Sequence, residues 1–187
     1  MGKLIQITGL PRSGTGFMSV FLSLHPVCVA YHELITKKDD YKDFLESELL
    51  TNKFVADCST YGYFPNHSYP EAKKVFLNRH PIRSKDSANK VFNTNLQIDD
   101  YVKHLNAIDL WIANNKVHIV DFNKLFNVDT LKQVWFYCFD SLAYFSEEKV
   151  ENLISMNIQM QNPTETITNG EILRKIKKQL NTSLCQQ

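Results

Sequence analysis

The sequence predicts an α/β protein with a central, mainly parallel β-sheet flanked by helices, in one domain spanning residues 1–187. Three observations predict it. Short apolar, β-branched segments alternate with longer stretches that repeat every three to four residues, the pattern of successive βα units. The first such segment runs straight into a glycine-bearing loop and then an amphipathic helix. A chain of 187 residues with 43% apolar and 22% charged side chains suits a single domain able to bury a core.

Taken in order, strands are expected at Lys3–Thr8, Val27–Tyr31, Lys53–Asp57, Lys73–Asn78 and Lys116–Asp121. The first helix carries Phe17, Val20, Phe21 and Leu24 on one face. Asp39 or Asp40 is placed to cap a helix over Tyr41–Leu50. A further helix covers Arg83–Phe92 after Pro81, and another covers Ile98–Ala113 with Tyr101, Leu105, Ile108 and Ile112 at helical spacing. Asp129 is placed to cap Thr130–Phe139. Ser146 with Glu147 and Glu148 opens the next helix, where acids suit the positive end of the dipole. Met156–Asn169 is polar and reads as a loop, and Glu171–Leu180 as a basic helix, so residues 160–187 form a peripheral loop and C-terminal helix. Trp111 and Trp135 fall on helical periodicity and are expected in the core.

Bulk properties narrow the partners. A formal net charge of +1 argues against nucleic acid as the main partner. No apolar run approaches the ~18 residues that span a bilayer, and the first residues carry no signal-peptide pattern, so a cytoplasmic protein without a membrane partner is expected. Cys28, Cys58, Cys138 and Cys185 form no zinc or C-x-x-C spacing, and Cys28 and Cys138 read as buried apolar residues. Whether the chain is a monomer or a homo-oligomer is open.

The densest chemistry lies at Thr8-Gly9-Leu10-Pro11-Arg12-Ser13-Gly14-Thr15-Gly16-Phe17. Strand, glycine loop and helix make a phosphate-binding layout, and the fold is therefore expected to be three-layered and P-loop-like. Gly9 and Gly14 have the Walker spacing, but Thr15 stands where the lysine belongs and Gly16 where the magnesium-binding hydroxyl belongs. A helix opening near Gly14 presents unpaired amides, Ser13 and Thr15 add hydroxyls, and Arg12 adds a planar fork of donors. A turn that binds nothing is the plainer alternative. A second basic segment, Arg79-His80-Pro81-Ile82-Arg83-Ser84-Lys85-Asp86-Ser87, follows the fourth strand. In a parallel sheet ligands bind beyond the carboxyl ends of the strands, so Gly9–Gly14, Tyr31–Glu33, Asp57–Tyr61 and Arg79–Arg83 share one rim.

Together the two segments resemble the sulfotransferase superfamily, which uses 3'-phosphoadenosine 5'-phosphosulfate. The resemblance rests on Pro-Arg-Ser-Gly-Thr-x-Phe after a strand, and on Arg-x-Pro with a serine eight residues after the arginine. Leu24-His25-Pro26 and the strand leading to Asp121-Phe122-Asn123-Lys124-Leu125 are softer points of similarity, and the match covers about residues 3–140. It implies that Pro11, Arg12, Ser13, Gly14, Thr15, Gly16 and Phe17 hold the 5'-phosphosulfate, that Arg79 and Ser87 hold the 3'-phosphate, and that transfer needs no metal. The product would be 3',5'-ADP. The chain departs from the family in lacking a lysine near Ala56-Asp57-Cys58 and an Arg-Lys-Gly tripeptide near its end, where Arg174-Lys175 stands as a conjectural substitute.

Sulfuryl transfer needs charge on the leaving oxygen and a base for the acceptor's proton. Arg12 and the helix tip supply the charge. Glu33 is the first choice of base, because several branches of the superfamily place a glutamate after this strand. Burial against Tyr31 and Phe17 would raise its pKa, and Arg12 would lower it. His32 is a rival, since imidazole as a class titrates nearer neutrality, and Asp57 is another. The aromatic stretch Tyr61–Tyr69 either lines an acceptor pocket or docks on the core. The reading is a sulfotransferase acting on a hydroxyl or amine of a carbohydrate or small molecule. Its alternatives are a non-catalytic nucleotide-binding module and a divergent P-loop kinase.

Overall fold

The structure is a computed structural model that describes residues 1–37, 40–64, 67 and 69–156. Five strands form one sheet: β1 (Lys3–Gly9), β2 (Cys28–His32), β3 (Phe54–Cys58), β4 (Lys73–Asn78) and β5 (Val117–Asp121). Their order is β2-β3-β1-β4-β5, and every pairing is parallel. The helices are α1 (Thr15–Leu22), α2 (Leu34–Lys37), α3 (Tyr41–Thr51), α4 (Pro81–Phe92), α5 (Asp99–Ala113), α6 (Val128–Phe139) and α7 (Glu147–Ser155). The architecture is three-layered α/β. The expected strands are all present, within a residue of their expected ends. The basic helix over Glu171–Leu180, the loop beyond Met156 and Cys185 lie outside the described residues.

Alternation along the strands sorts side chains into two cores. One face carries Ile5, Ile7, Ala56, Cys58, Val75 and Leu77, and packs with α1, α6 and α7 through Phe21, Trp135 and Leu153. Fully burying such a side chain contributes ~1.5–3 kcal/mol, so this apolar face is the main source of stability. On the other face Leu4 and Val55 pack with Tyr41, Leu45 and Leu49 of α3. Phe76 on the same face packs with Tyr101, Ile108 and Trp111 of α5. Both tryptophans are buried, as are Cys28 and Cys138.

One capping expectation is corrected and another is met in position only. Helix α6 starts earlier than expected, so its cap is Asn127, which is extended and accepts from the Thr130 amide at 3.1 Å. Asp129 falls instead in the first turn, where the dipole favours an acid. Asp40 precedes α3 but makes no side-chain capping bond, and Asp39 lies outside the described residues. Ser146 does cap α7, accepting from the Lys149 amide at 3.3 Å. Helix α4 begins with Pro81 itself, whose missing N–H costs nothing in the first turn. Helix α2 is an addition that no periodicity announced.

Candidate functional site

Because all five strands are parallel, their carboxyl ends share one rim. Strand β1 lies at the centre, between β3 and β4, where chain connections diverge to either side and ligands bind in such sheets. The loop Leu10–Gly14 leaves β1 there and turns into α1. The Ser13 amide closes the turn on the Leu10 carbonyl at 3.1 Å. The first helical bond runs from Met18 N to Gly14 O at 3.0 Å, which leaves the amides of Thr15, Gly16 and Phe17 at the helix tip. Gly14 has φ 99°, a conformation that favours glycine, and a β-carbon there would sit 2.5 Å from Leu125 Cδ2, so the leucine would have to shift.

Arg12 has no such licence, yet its φ is 66°. A left-handed residue other than glycine costs roughly 1–2 kcal/mol and persists only where its surroundings hold it. The second motif does the holding. Arg79 donates from Nη1 to the Arg12 carbonyl, and Ser84 donates from Oγ to the Pro11 carbonyl. Both guanidiniums rest on rings: Arg79 lies 4.2 Å from the centre of Phe122, and Arg12 lies 5.9 Å from that of Phe92. Burial weakens the charged form of each, and the neighbouring Arg12 and Arg83 weaken that of Arg79 further. The Nε of Arg12, the Nε of Arg79 and the Oγ of Ser13 are buried without a hydrogen-bond partner among the described residues. Two close cations with unpaired donors beside a positive helix end are suited to an anion of more than one charge.

On the other side of the loop the imidazole of His32 lies over Gly16, its Cε1 3.4 Å from where a β-carbon would be. Thr15 Oγ1 is 3.2 Å from His32 Nε2 and 3.4 Å from Glu33 Oε1. Glu33 Oε1 also accepts from the Thr60 amide at 3.1 Å and from the Thr60 hydroxyl, and it lies 3.3 Å from His32 Nε2. Glu33 has φ 56° and Tyr61 φ 70°, so left-handed backbone recurs around the rim. Burial pushes the Glu33 carboxyl up, but His32 and Thr60 outweigh it and the net shift is downward.

The sequence expectations for this side need three corrections. Arg12 is not what lowers the Glu33 pKa; His32 and Thr60 are. Tyr31 is not against Glu33: it points to the opposite face and donates to Glu48 at 2.7 Å. Phe17 is 3% exposed with its ring stacked on Phe21, so it offers the site its backbone amide rather than its ring. Asp57 also stands apart. It alternates with Ala56 and Cys58 and so faces away from α1, is 2% exposed, and accepts from Ser59. Burial and the nearby Glu33 charge push it up to about 7 against the Ser59 bond. It is enclosed rather than presented at the rim.

Arg12 to Gly16, Arg79, His32 and Glu33 thus surround the tip of α1, and Pro11 meets α4 through its carbonyl. Ser87 is half-buried on α4, one turn beyond Ser84. Sequence reasoning placed Thr60 on this rim without giving it a partner, and it missed Ser84, Phe122 and Leu125 as parts of this neighbourhood. The segment at the end of β5 carried a signal for the last two, but nothing in it showed that Leu125 would fill the space beside Gly14. Among the described residues, no group of three or more His, Cys, Asp or Glu side chains is arranged to hold a metal ion. No helix among them is long and apolar enough to cross a membrane. No protein-family model matches this chain, and no curated protein matches it. What is established is the class: a three-layer α/β protein with a strand–loop–helix turn at the centre of an all-parallel sheet.

Proposed function

We propose that this protein is a sulfotransferase that uses 3'-phosphoadenosine 5'-phosphosulfate, with a hydroxyl or amine of a carbohydrate or small molecule as acceptor. The observation that carries the reading is the pairing of Arg12 and Arg79 across the loop, each with a buried, unpaired Nε, in a cradle with Thr15 at the Walker lysine position. Such a cradle suits a donor with anionic groups at both ends of its nucleotide. Arg12, the Ser13 and Thr15 hydroxyls and the amides at the tip of α1 would hold the 5' end, and Arg79 with Ser87 the 3'-phosphate. The donor supplies a sulfuryl group on a phosphate leaving group.

The chain's residues then have separate tasks. Arg12 and the helix tip stabilise negative charge on the leaving oxygen. The acceptor's proton goes to the His32–Glu33 pair. Glu33 is favoured as a carboxylate, which makes it a weak base and a strong anchor for the imidazole, in the manner of an orienting acid behind a histidine. Asp57, enclosed on the far face, takes no part in proton transfer.

Calorimetric titration tests the reading. Binding of 3',5'-ADP is expected with equal affinity with and without magnesium, and preference for Mg-ATP would overturn it in favour of a kinase. A non-catalytic nucleotide-binding module is a second reading, favoured by the internal contacts that occupy Glu33. Transfer of radiolabelled sulfate to any member of a panel of hydroxyl acceptors would decide against it.

A further inference from the structure

Two consecutive carbonyls of the loop after β1 are captured by the segment that follows the fourth strand, one by the connection and one by α4. Ser84 Oγ donates to Pro11 O, and Arg79 Nη1 donates to Arg12 O. Ser84 is fully buried and sits in the first turn of α4, with the hydroxyl of Tyr101 from α5 beside it. In a trans peptide the N–H points opposite to the C=O. Holding the Pro11 carbonyl toward α4 therefore aims the Arg12 amide away from it. The Arg12 carbonyl, held by Arg79, sets the next peptide plane, whose Ser13 amide closes on Leu10. Arg12 meanwhile keeps a φ of 66° that its own side chain disfavours. Leu125 closes the remaining side, against Gly14.

We propose that Ser84 is a positioning residue: with Arg79 it pre-forms the loop between β1 and α1, so that α4 sets the affinity of an anion site to which Ser84 contributes no contact. Pre-organisation strengthens binding by removing the ordering cost that a loose loop would incur. Arg79 consequently acts twice, as a brace on the loop and as a cation for a second phosphate, while Ser84 acts only as a brace. The second role of Arg79 rests on the sulfotransferase reading; the role of Ser84 does not.

The experiment titrates the full-length protein with inorganic pyrophosphate, 5'-AMP and 3',5'-ADP, for wild type, Ser84→Ala, Ser84→Cys, Arg79→Lys and Ala88→Gly. Ala88 is buried in the same helix, and a glycine there lowers helix stability without removing a hydrogen bond to the loop. Ser84→Ala is expected to weaken all three ligands by the same factor, about tenfold, the scale of one buried hydrogen bond. Ser84→Cys, with a weaker donor, falls between it and wild type, and keeps the test open if the alanine variant does not fold. Arg79→Lys loses pyrophosphate to a similar extent and 3',5'-ADP by a further factor. Ala88→Gly lowers the melting temperature and leaves all affinities unchanged. Unchanged pyrophosphate affinity in Ser84→Ala, or no pyrophosphate binding by wild type, overturns the proposal. A uniform loss in Ser84→Ala without any wild-type preference for 3',5'-ADP over 5'-AMP supports the brace and removes the sulfotransferase reading.

Discussion

Glu33 and Asp57 stand close to each other near the carboxyl rim, and the fold treats them in opposite ways. Glu33 sits where the chain turns sharply after β2, beside the tip of α1. Thr60, Thr15 and His32 converge on one of its oxygens. Asp57 sits within β3 on the far face, in register with Gln6 of β1, which is in turn in register with Lys74 of β4. Those three polar residues form a buried row across the sheet, each at most 2% exposed. Desolvation acts on both carboxyls. Donors reverse its effect at Glu33, whereas a single serine does not at Asp57. The rim thus keeps a carboxylate and the interior a group that favours its acid form. Being near the end of a strand does not make an acid available for chemistry. Which face it takes, and how many donors meet it there, decides that.

Glu33→Gln breaks the rim side of this comparison and has the largest expected effect. On the proposed sulfotransferase reading, sulfate transfer should fall by about 10²–10⁴-fold, the usual contribution of positioned acid–base groups. Affinity for 3',5'-ADP, measured by calorimetry, should change little. Retained turnover would remove Glu33 from the mechanism.

Asp57→Asn tests the interior. The folded protein favours the Asp57 acid, so its contribution to stability is fully present below the unfolded value of 3.8 and is lost as the pH rises through about 7. The variant should therefore melt above wild type at pH 8 and show no gain at pH 4. The difference is of the order of up to about 4 kcal/mol. A variant that is equally destabilised at both pH values would show that Asp57 is held as a carboxylate. Glu33 has the opposite sign: its contribution is present above the ordinary carboxyl range and is lost on acidification.

Gln6→Leu sharpens the same contrast. Gln6 Nε2 donates to the Gly62 and His67 carbonyls at 3.0 and 2.6 Å, tying the aromatic stretch after β3 to the centre of the sheet. Losing that donor from buried carbonyls should cost about 2–3 kcal/mol in chemical denaturation. Hydrogen exchange should speed up at Gly62 and Tyr63, with the loop before α1 unaffected.

Much of the fold was legible because strand and helix periodicities are local. Lys73–Asn78 was readable to the residue, and Ser146 with its following acids announced α7 directly. The α6 cap was missed because Asn127 and Asp129 are both competent caps, and only the backbone turn selects between them. Within the site, Arg12 and Arg79 were conspicuous as cations after strands. Ser84 was not, since a serine in a helical segment has many uses and its acceptor lies 73 residues earlier in the chain. Thr60 was legible as a rim residue, but its contact with Glu33, 27 residues away, was not, for the same reason. The enclosure of Asp57 was not legible, because a position near a strand end does not say which face of the sheet its side chain takes.

By itself, the sequence determined the layered α/β architecture and the character of the central loop, because hydrophobic spacing, glycine placement and the residues at the Walker positions are properties of neighbouring residues. Only the tertiary structure decided that Arg79 and Ser84, at the start of the segment after β4, capture the carbonyls of that loop. It also decided that Leu125 closes on Gly14, that Thr60 meets Glu33, and that Asp57 is enclosed. These contacts join residues far apart in the chain. Their energies depend on burial and direction, which exist only once the sheet has brought its strand ends together.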